Sequence, residues 1–256
     1  MLSRIAEALY WIGRYVERAE DTARLSDVTY HHTLELGSIS SEADQRHWDA
    51  LISIAGDADR FFATHAVADD QSVLHFLTLE PDNPNSIIAC ISRARENART
   101  MRHHITSEMW EALNRFYLEL RRQAGTQSPL RGAEHTYRFY RSVKEFSHLF
   151  QGITDSTMPR EEGWHFLQTG KFLERAEKTA RSLDIRYHLL TIEADDPDMP
   201  LASRPEEQYQ WLAVLRSLSA YEAYHKLYRS TVQPRAVVEM LTLSPVFPRS
   251  IRFSIA

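Results

Sequence analysis

Apolar residues recur at three- and four-residue intervals along most of this chain, the signature of helices with one buried face. Ile5, Leu9, Ile12, Val16, Ala19 and Ala23 form the first such stripe. It predicts a long helix from Ser3 to about Leu36, closed by Gly37. Shorter periodic runs predict helices over Glu42–Ala55, Ala58–Ala66 and Gln71–Leu79, with Gly56 as a stop and Asp57 and Asp69 as caps. After Pro81-Asp82-Asn83-Pro84, the pattern Ile87, Ile91, Ala94, Ala98, Met101, Ile105 predicts a helix capped by Asn83 with Pro84 in its first turn. Further helices are expected over Glu108–Gln123, Arg131–Thr154, 158–193, Pro205–Ser230 and Pro234–Leu241. A last one should begin at Arg249–Phe253, where the chain ends abruptly. Alternating apolar–polar runs between turn dipeptides are absent. The expected fold is all-α: a multi-helix bundle forming a single domain over 1–256.

Two of these helices repeat one another. Gly13-Arg14-Tyr15-Val16-Glu17-Arg18-Ala19-Glu20-Asp21-Thr22-Ala23-Arg24 returns 157 residues later as Gly170-Lys171-Phe172-Leu173-Glu174-Arg175-Ala176-Glu177-Lys178-Thr179-Ala180-Arg181. Carried through Asp27 and Asp184, nine of fifteen positions are identical, where about one would match by chance. Ile91–Arg99 is a weaker third copy that keeps Arg93, Ala94, Ala98 and Arg99. The irregular spacing argues against a solenoid and for a bundle with duplicated long helices, about 3–36 and 158–193. A glycine inside a helix costs about 1 kcal/mol relative to alanine. Its presence at the same repeat position, Gly13 and Gly170, predicts a close backbone approach, such as that of the two repeat helices to each other.

Composition narrows the function classes. The hydrophobic share of 43% and charged share of 25% are those of an ordinary globular protein with a real core. Net charge is −5 with acids and bases interleaved, which argues against a nucleic-acid surface. There is no run of 18 apolar residues and no signal-peptide pattern, so no membrane association is expected. One cysteine excludes an internal disulfide and makes the cytoplasm the default address. Cys90 itself falls on the apolar face of its helix, as a core residue would.

Charge spacing supplies the candidate chemistry. Glu17, Glu20 and Arg24 share one helix face about a quarter-turn from the apolar stripe, bordering the core; Glu174, Glu177 and Arg181 repeat this. Three readings stand side by side. In the first, the glutamates of one helix pair with arginines of another as an ion-pair lattice that sets register. In the second, Arg24, Arg95, Arg99 and Arg181 converge on an anion, since a guanidinium fork binds two oxygens. In the third, Glu17, Glu20, Glu174 and Glu177 are acid–base groups or metal ligands. Di-iron bundles, however, use Glu-x-x-His; here the residue three beyond each first glutamate is another glutamate, and arginines crowd it. No metal and no cofactor are assigned. Asp195-Asp196-Pro197-Asp198 superficially matches aspartate-rich diphosphate sites but lies in a Pro-rich loop.

Beyond the duplicated motif, the chain resembles the bacterial alpha-E domain family along essentially its whole length. The resemblance is carried by Tyr10–Glu20, Asn83-Pro84-Asn85-Ser86-Ile87, Ala94–Arg99, Glu108-Met109-Trp110-Glu111-Ala112-Leu113-Asn114, Phe172–Ala176, Tyr221-Glu222-Ala223-Tyr224 and Phe247-Pro248-Arg249-Ser250. It implies association with ATP-grasp peptide ligase-like proteins and transglutaminase-like peptidases, in making or modifying a peptide or amide-linked product. Family members usually continue past Phe-Pro-Arg-Ser for further helices, so this chain reads as shortened at its C-terminus. The leading expectation is an accessory helical partner of an ATP-grasp amide ligase. Arg18, Arg24, Arg95, Asn97, Arg99, Trp110, Asn114, Arg175 and Arg181 would form its ligand or partner surface. An independent enzyme built on the glutamates and a purely structural scaffold are the alternatives.

Overall fold

A computed structural model describes residues 1–36, 41–125, 130, 132–192, 205–229 and 231–256. Among these, twelve α-helices and one 3₁₀ turn make up the ordered elements and there is no strand. In chain order they are α1 (Ser3–Leu36), α2 (Ser41–Ala55), α3 (Ala58–Phe62), α4 (Asp70–Thr78), α5 (Ile87–Thr100), a 3₁₀ turn (Arg102–His104), α6 (Ser107–Ala124), α7 (Ala133–Thr157), α8 (Glu162–Ile192), α9 (Pro205–Ser217), α10 (Tyr221–Tyr228), α11 (Pro234–Leu243) and α12 (Ile251–Ile255). The expected Gly37 cap and the 193–204 loop lie outside the described residues.

Helix α1 is the centre of the bundle, packed against α8, α5 and α7. Its predicted stripe of Leu9, Ile12, Val16, Ala19 and Ala23 is buried in the larger hydrophobic core. A second, smaller core gathers Leu183, Trp211, Leu215, Leu218, Tyr224, Val237 and Leu241 from α8 to α11.

Several helix limits differ from expectation, each for a local reason. Asn83 does not cap α5. Its Nδ2 donates to the Phe76 carbonyl and its Oδ1 accepts from the Asn85 amide, while Ser86 is the N-cap. Asp57 makes no capping hydrogen bond to α3 and instead accepts from Asn85 and Arg60; α3 ends after Phe62. Asp69 caps α4 as expected, in a reciprocal box with Ser72. Pro159 lies ahead of α8 rather than inside its first turn. The single helix expected over 205–230 is two, because Ser219 adopts φ +52° and the Ala220 amide donates back to the Leu215 carbonyl. That is a helix-ending turn in which glycine usually sits, so the sequence carried no stop signal there.

The two repeat glycines mark the crossing of α1 and α8. A Cβ on Gly13 would collide with the Leu167 carbonyl oxygen, and one on Gly170 with the Tyr10 carbonyl oxygen. Leu167 and Tyr10 are themselves separated by the 157-residue offset, so the two contacts correspond. Only the missing side chains let these backbones touch.

Candidate functional site

The Glu-Arg dipeptides of α1 and α8 meet at this crossing and pair reciprocally. Arg175 Nε donates to Glu17 Oε1 at 2.5 Å. In the corresponding direction, Arg18 Nε and Nη2 donate to the two oxygens of Glu174 at 2.8 and 2.9 Å. Each acid therefore faces the other helix's arginine. The one-turn pairs also correspond: Arg24 with Glu20 at 2.7 Å and Arg181 with Glu177 at 3.1 Å.

Around this core the two sides differ. Arg249, from the turn ahead of α12, reaches Glu20 and Asp21 at 2.6 Å each and Glu17 at 3.1 Å. Helix α7 adds neutral donors, Ser147 to Glu20 and Gln151 to Glu17. On the other side Arg14 bridges Glu174 and Glu177, both at 2.5 Å. Arg18 also donates to Asn85, which anchors it through Asp57. Lys178 donates to the Ala55 carbonyl at 3.1 Å.

Glu17, Glu20 and Glu174 are fully buried, deeper than the core margin expected from the helix geometry, whereas Glu177 and Arg181 lie at that margin, partly exposed. Burial would raise the Glu20 pKa, but Arg249, His148, Arg24 and Ser147 overcome it and hold the group well below the ordinary carboxylate range. Glu174 is likewise lowered against its burial by Arg18, Lys178 and Arg14. Such acids stay ionised, are sealed from solvent and already accept several charged hydrogen bonds. As a donor set for a cation they are poor, because guanidiniums occupy their oxygens.

Asp21 behaves differently. Burial, with the neighbouring Glu17, Glu20 and Glu174, outweighs Arg249 and raises its pKa to about 7; its Oδ2 has no hydrogen-bond partner. An unfolded aspartate titrates near 3.9, so between about pH 4 and 7 the folded state holds more protons than the unfolded one. Asp21 thus favours folding as pH falls through that window and opposes it above. Asp21→Asn is expected to gain stability relative to the wild type as pH rises from 5 to 8. Thermal melts of both proteins at the two pH values check this, and a constant difference would contradict it.

The arginines expected to converge on an anion have separate partners. Arg24 is bound to Glu20, Ser219 and His148. Arg181 pairs with Glu177 and lies against Gly56, and Arg99 pairs with Glu96 on the surface. Arg95 donates to Asn114 at 2.7 Å and lies over Trp110, which brings those three predicted residues together on α5 and α6. Asn97 stands apart from this group; its backbone carbonyl accepts from the Thr100 hydroxyl and the Met101 amide. Among the described residues, no group of three or more His, Cys, Asp or Glu side chains is placed to hold a metal.

Arg249, Arg14, Asp21 and Lys178 were missing from the sequence-derived set. A signal for Arg249 existed. Asn83-Pro84-Asn85-Ser86-Ile87 and Phe247-Pro248-Arg249-Ser250-Ile251 share a Pro-x-Ser-Ile frame. In both, the serine caps the following helix, and its hydroxyl donates to a carbonyl six residues back. In both, the residue before the serine reaches the ion-pair lattice.

A family model described as a predicted alpha-helical domain with a conserved ER motif matches residues 1–256. Among curated proteins, the uncharacterized protein Mb2597 of Mycobacterium bovis is 26% identical over 183 residues, which cover 67% of this chain and 21% of the relative. The uncharacterized protein Rv2567 of Mycobacterium tuberculosis matches to the same extent. The chain thus spans about a fifth of the length of these relatives. No solved structure matches it. Among the described residues, no helix is long and apolar enough to cross a membrane.

Proposed function

Because this chain belongs to the Alpha-E family and its Glu-Arg motifs bind one another, we propose that it is a non-catalytic binding protein. It acts as the helical accessory of an ATP-grasp amide ligase-like partner, in the synthesis or modification of a peptide or amide-linked product. A transglutaminase-like peptidase is a second partner in the same setting, the bacterial cytoplasm, where ATP is available to the ligase. The observation that carries the reading is the reciprocal Glu17–Arg175 and Arg18–Glu174 pairing. A motif whose acids are buried and saturated organises a rigid support and leaves recognition to the outer faces. The implied partner class is the one that the family resemblance suggests.

Co-purification with the ATP-grasp protein encoded nearest to it tests this. A stoichiometric complex whose ATP turnover depends on this chain is the expected result. No association, either for this chain or for a version extended at its C-terminus, would overturn the reading.

A further inference from the structure

The hairpin of α5 and α6 carries a cationic surface that the Glu-Arg lattice does not use. Arg95 and Arg99 are one turn apart on α5, and Arg102 follows in the 3₁₀ turn after it. Trp110, Asn114 and Tyr117 recur in the same way on α6. The two rows face each other. The Arg95 guanidinium lies 4.6 Å from the Tyr117 ring centroid and 5.5 Å from that of Trp110, and its Nε is fixed by Asn114 Oδ1. Arg102 stands over Trp110, also at 5.5 Å.

What sets Arg95 apart is its counterion. The arginines of the lattice each meet a carboxylate, whereas the partners of Arg95 are an amide oxygen and two rings. Among the described residues neither Arg95 nor Arg102 forms an ion pair; Glu96 is matched by Arg99. Beyond a longer-range attraction to Glu96, the half-buried Arg95 guanidinium is held by neutral groups and keeps donors for a carboxylate. The hairpin as a whole repeats the imbalance: residues 87–124 hold seven arginines against four glutamates, in a chain whose net charge is −5.

We propose that this face docks an acidic peptide segment of a protein partner, with carboxylates received by Arg95 and Arg102. Both guanidiniums lie over one indole, so they are no more than about 11 Å apart. Acidic side chains at alternate positions of an extended segment project about 7 Å apart on one side and reach both. A single-stranded nucleic acid fits less well, because it needs free aromatic faces for its bases and guanidiniums already cover those of Trp110 and Tyr117. The inference deepens the accessory reading and rests on it only for the existence of a protein partner.

Fluorescence anisotropy of fluorescein-labelled hexaglutamate, titrated with the full chain at low salt, is the test. Saturable binding is expected, weakened by added salt and absent with hexalysine. Arg95→Gln and Arg102→Gln should each weaken it about tenfold, the loss of one charged hydrogen-bonding contact, and Arg235→Gln on α11 should leave it unchanged. Circular dichroism melts verify folding; if Arg95→Gln unfolds, Arg102→Gln on the outer turn decides alone. No saturable binding, binding undiminished in the folded variants, or tighter binding of hexathymidylate through the same arginines would overturn the proposal. A ligase that co-purifies equally with the Arg102→Gln protein would remove this surface and leave the accessory reading intact. Peptide binding without any ligase complex would do the reverse.

Discussion

Replacing Gly13 by alanine is expected to destabilise the protein by about 3 kcal/mol, although alanine is the better helix former by about 1 kcal/mol. The added methyl would clash with the Leu167 carbonyl oxygen, and its next neighbour is the Lys171 amide at 3.0 Å. Both are helical backbone, so relief requires α8 to move as a body away from α1. That movement would strain the short Glu17–Arg175 and Arg18–Glu174 pairs as well. Gly170→Ala should lose as much, since it meets the Tyr10 carbonyl in the corresponding way. Gly152→Ala on α7 is the control. Nothing lies within 4 Å of its Cβ position, so it should be neutral or gain up to about 1 kcal/mol. Denaturant unfolding of the three variants measures all of this. A loss below about 1 kcal/mol at both crossing glycines would mean that the helices tolerate separation.

The second large effect belongs to Arg249. Arg249→Met is expected to cost about 3–5 kcal/mol, because it leaves Glu17, Glu20 and Asp21 buried together with one cation fewer. The loss should be smaller at pH 5 than at pH 8, since Asp21 is already protonated at pH 5 and adds no charge to the repulsion, whereas at pH 8 its ionised form loses Arg249. Its location should also be specific. Arg249 and the Thr179 hydroxyl, which donates to the Arg249 carbonyl, tie the turn before α12 to α1 and α8. Hydrogen exchange should therefore accelerate first in α12, ahead of the α1–α8 crossing. Unfolding within about 1 kcal/mol of wild type, or uniform acceleration, would contradict this.

Much of this architecture could be read from the chain. The 3.6-residue periodicity placed α1 from Ser3 to Leu36, and the paired glycines foretold the close approach of α1 and α8. The Glu-Arg spacing located the charged face on each helix. Depth was not legible, because a helix presents a quarter-turn stripe equally well to a core margin or to a third helix. Here α7, with Ser147 and Gln151, and the Arg249 turn close over Glu17 and Glu20 and bury them. Arg249 was hidden for a related reason: its partners are more than 220 residues away. Only the shared Pro-x-Ser-Ile frame hinted at its place. The break at Ser219 was invisible because serine adopts there a conformation that sequence patterns assign to glycine.

Double-mutant cycles across the crossing measure whether the two Glu-Arg motifs hold each other. One cycle combines Glu17→Gln with Arg175→Met and the other Glu174→Gln with Arg18→Met, each read by denaturant unfolding at pH 7. Coupling of about 2 kcal/mol or more is expected in both cycles, of similar size, because these buried residues share charged hydrogen bonds. Coupling within about 0.5 kcal/mol of zero in both would contradict this and would free the glutamates for another role.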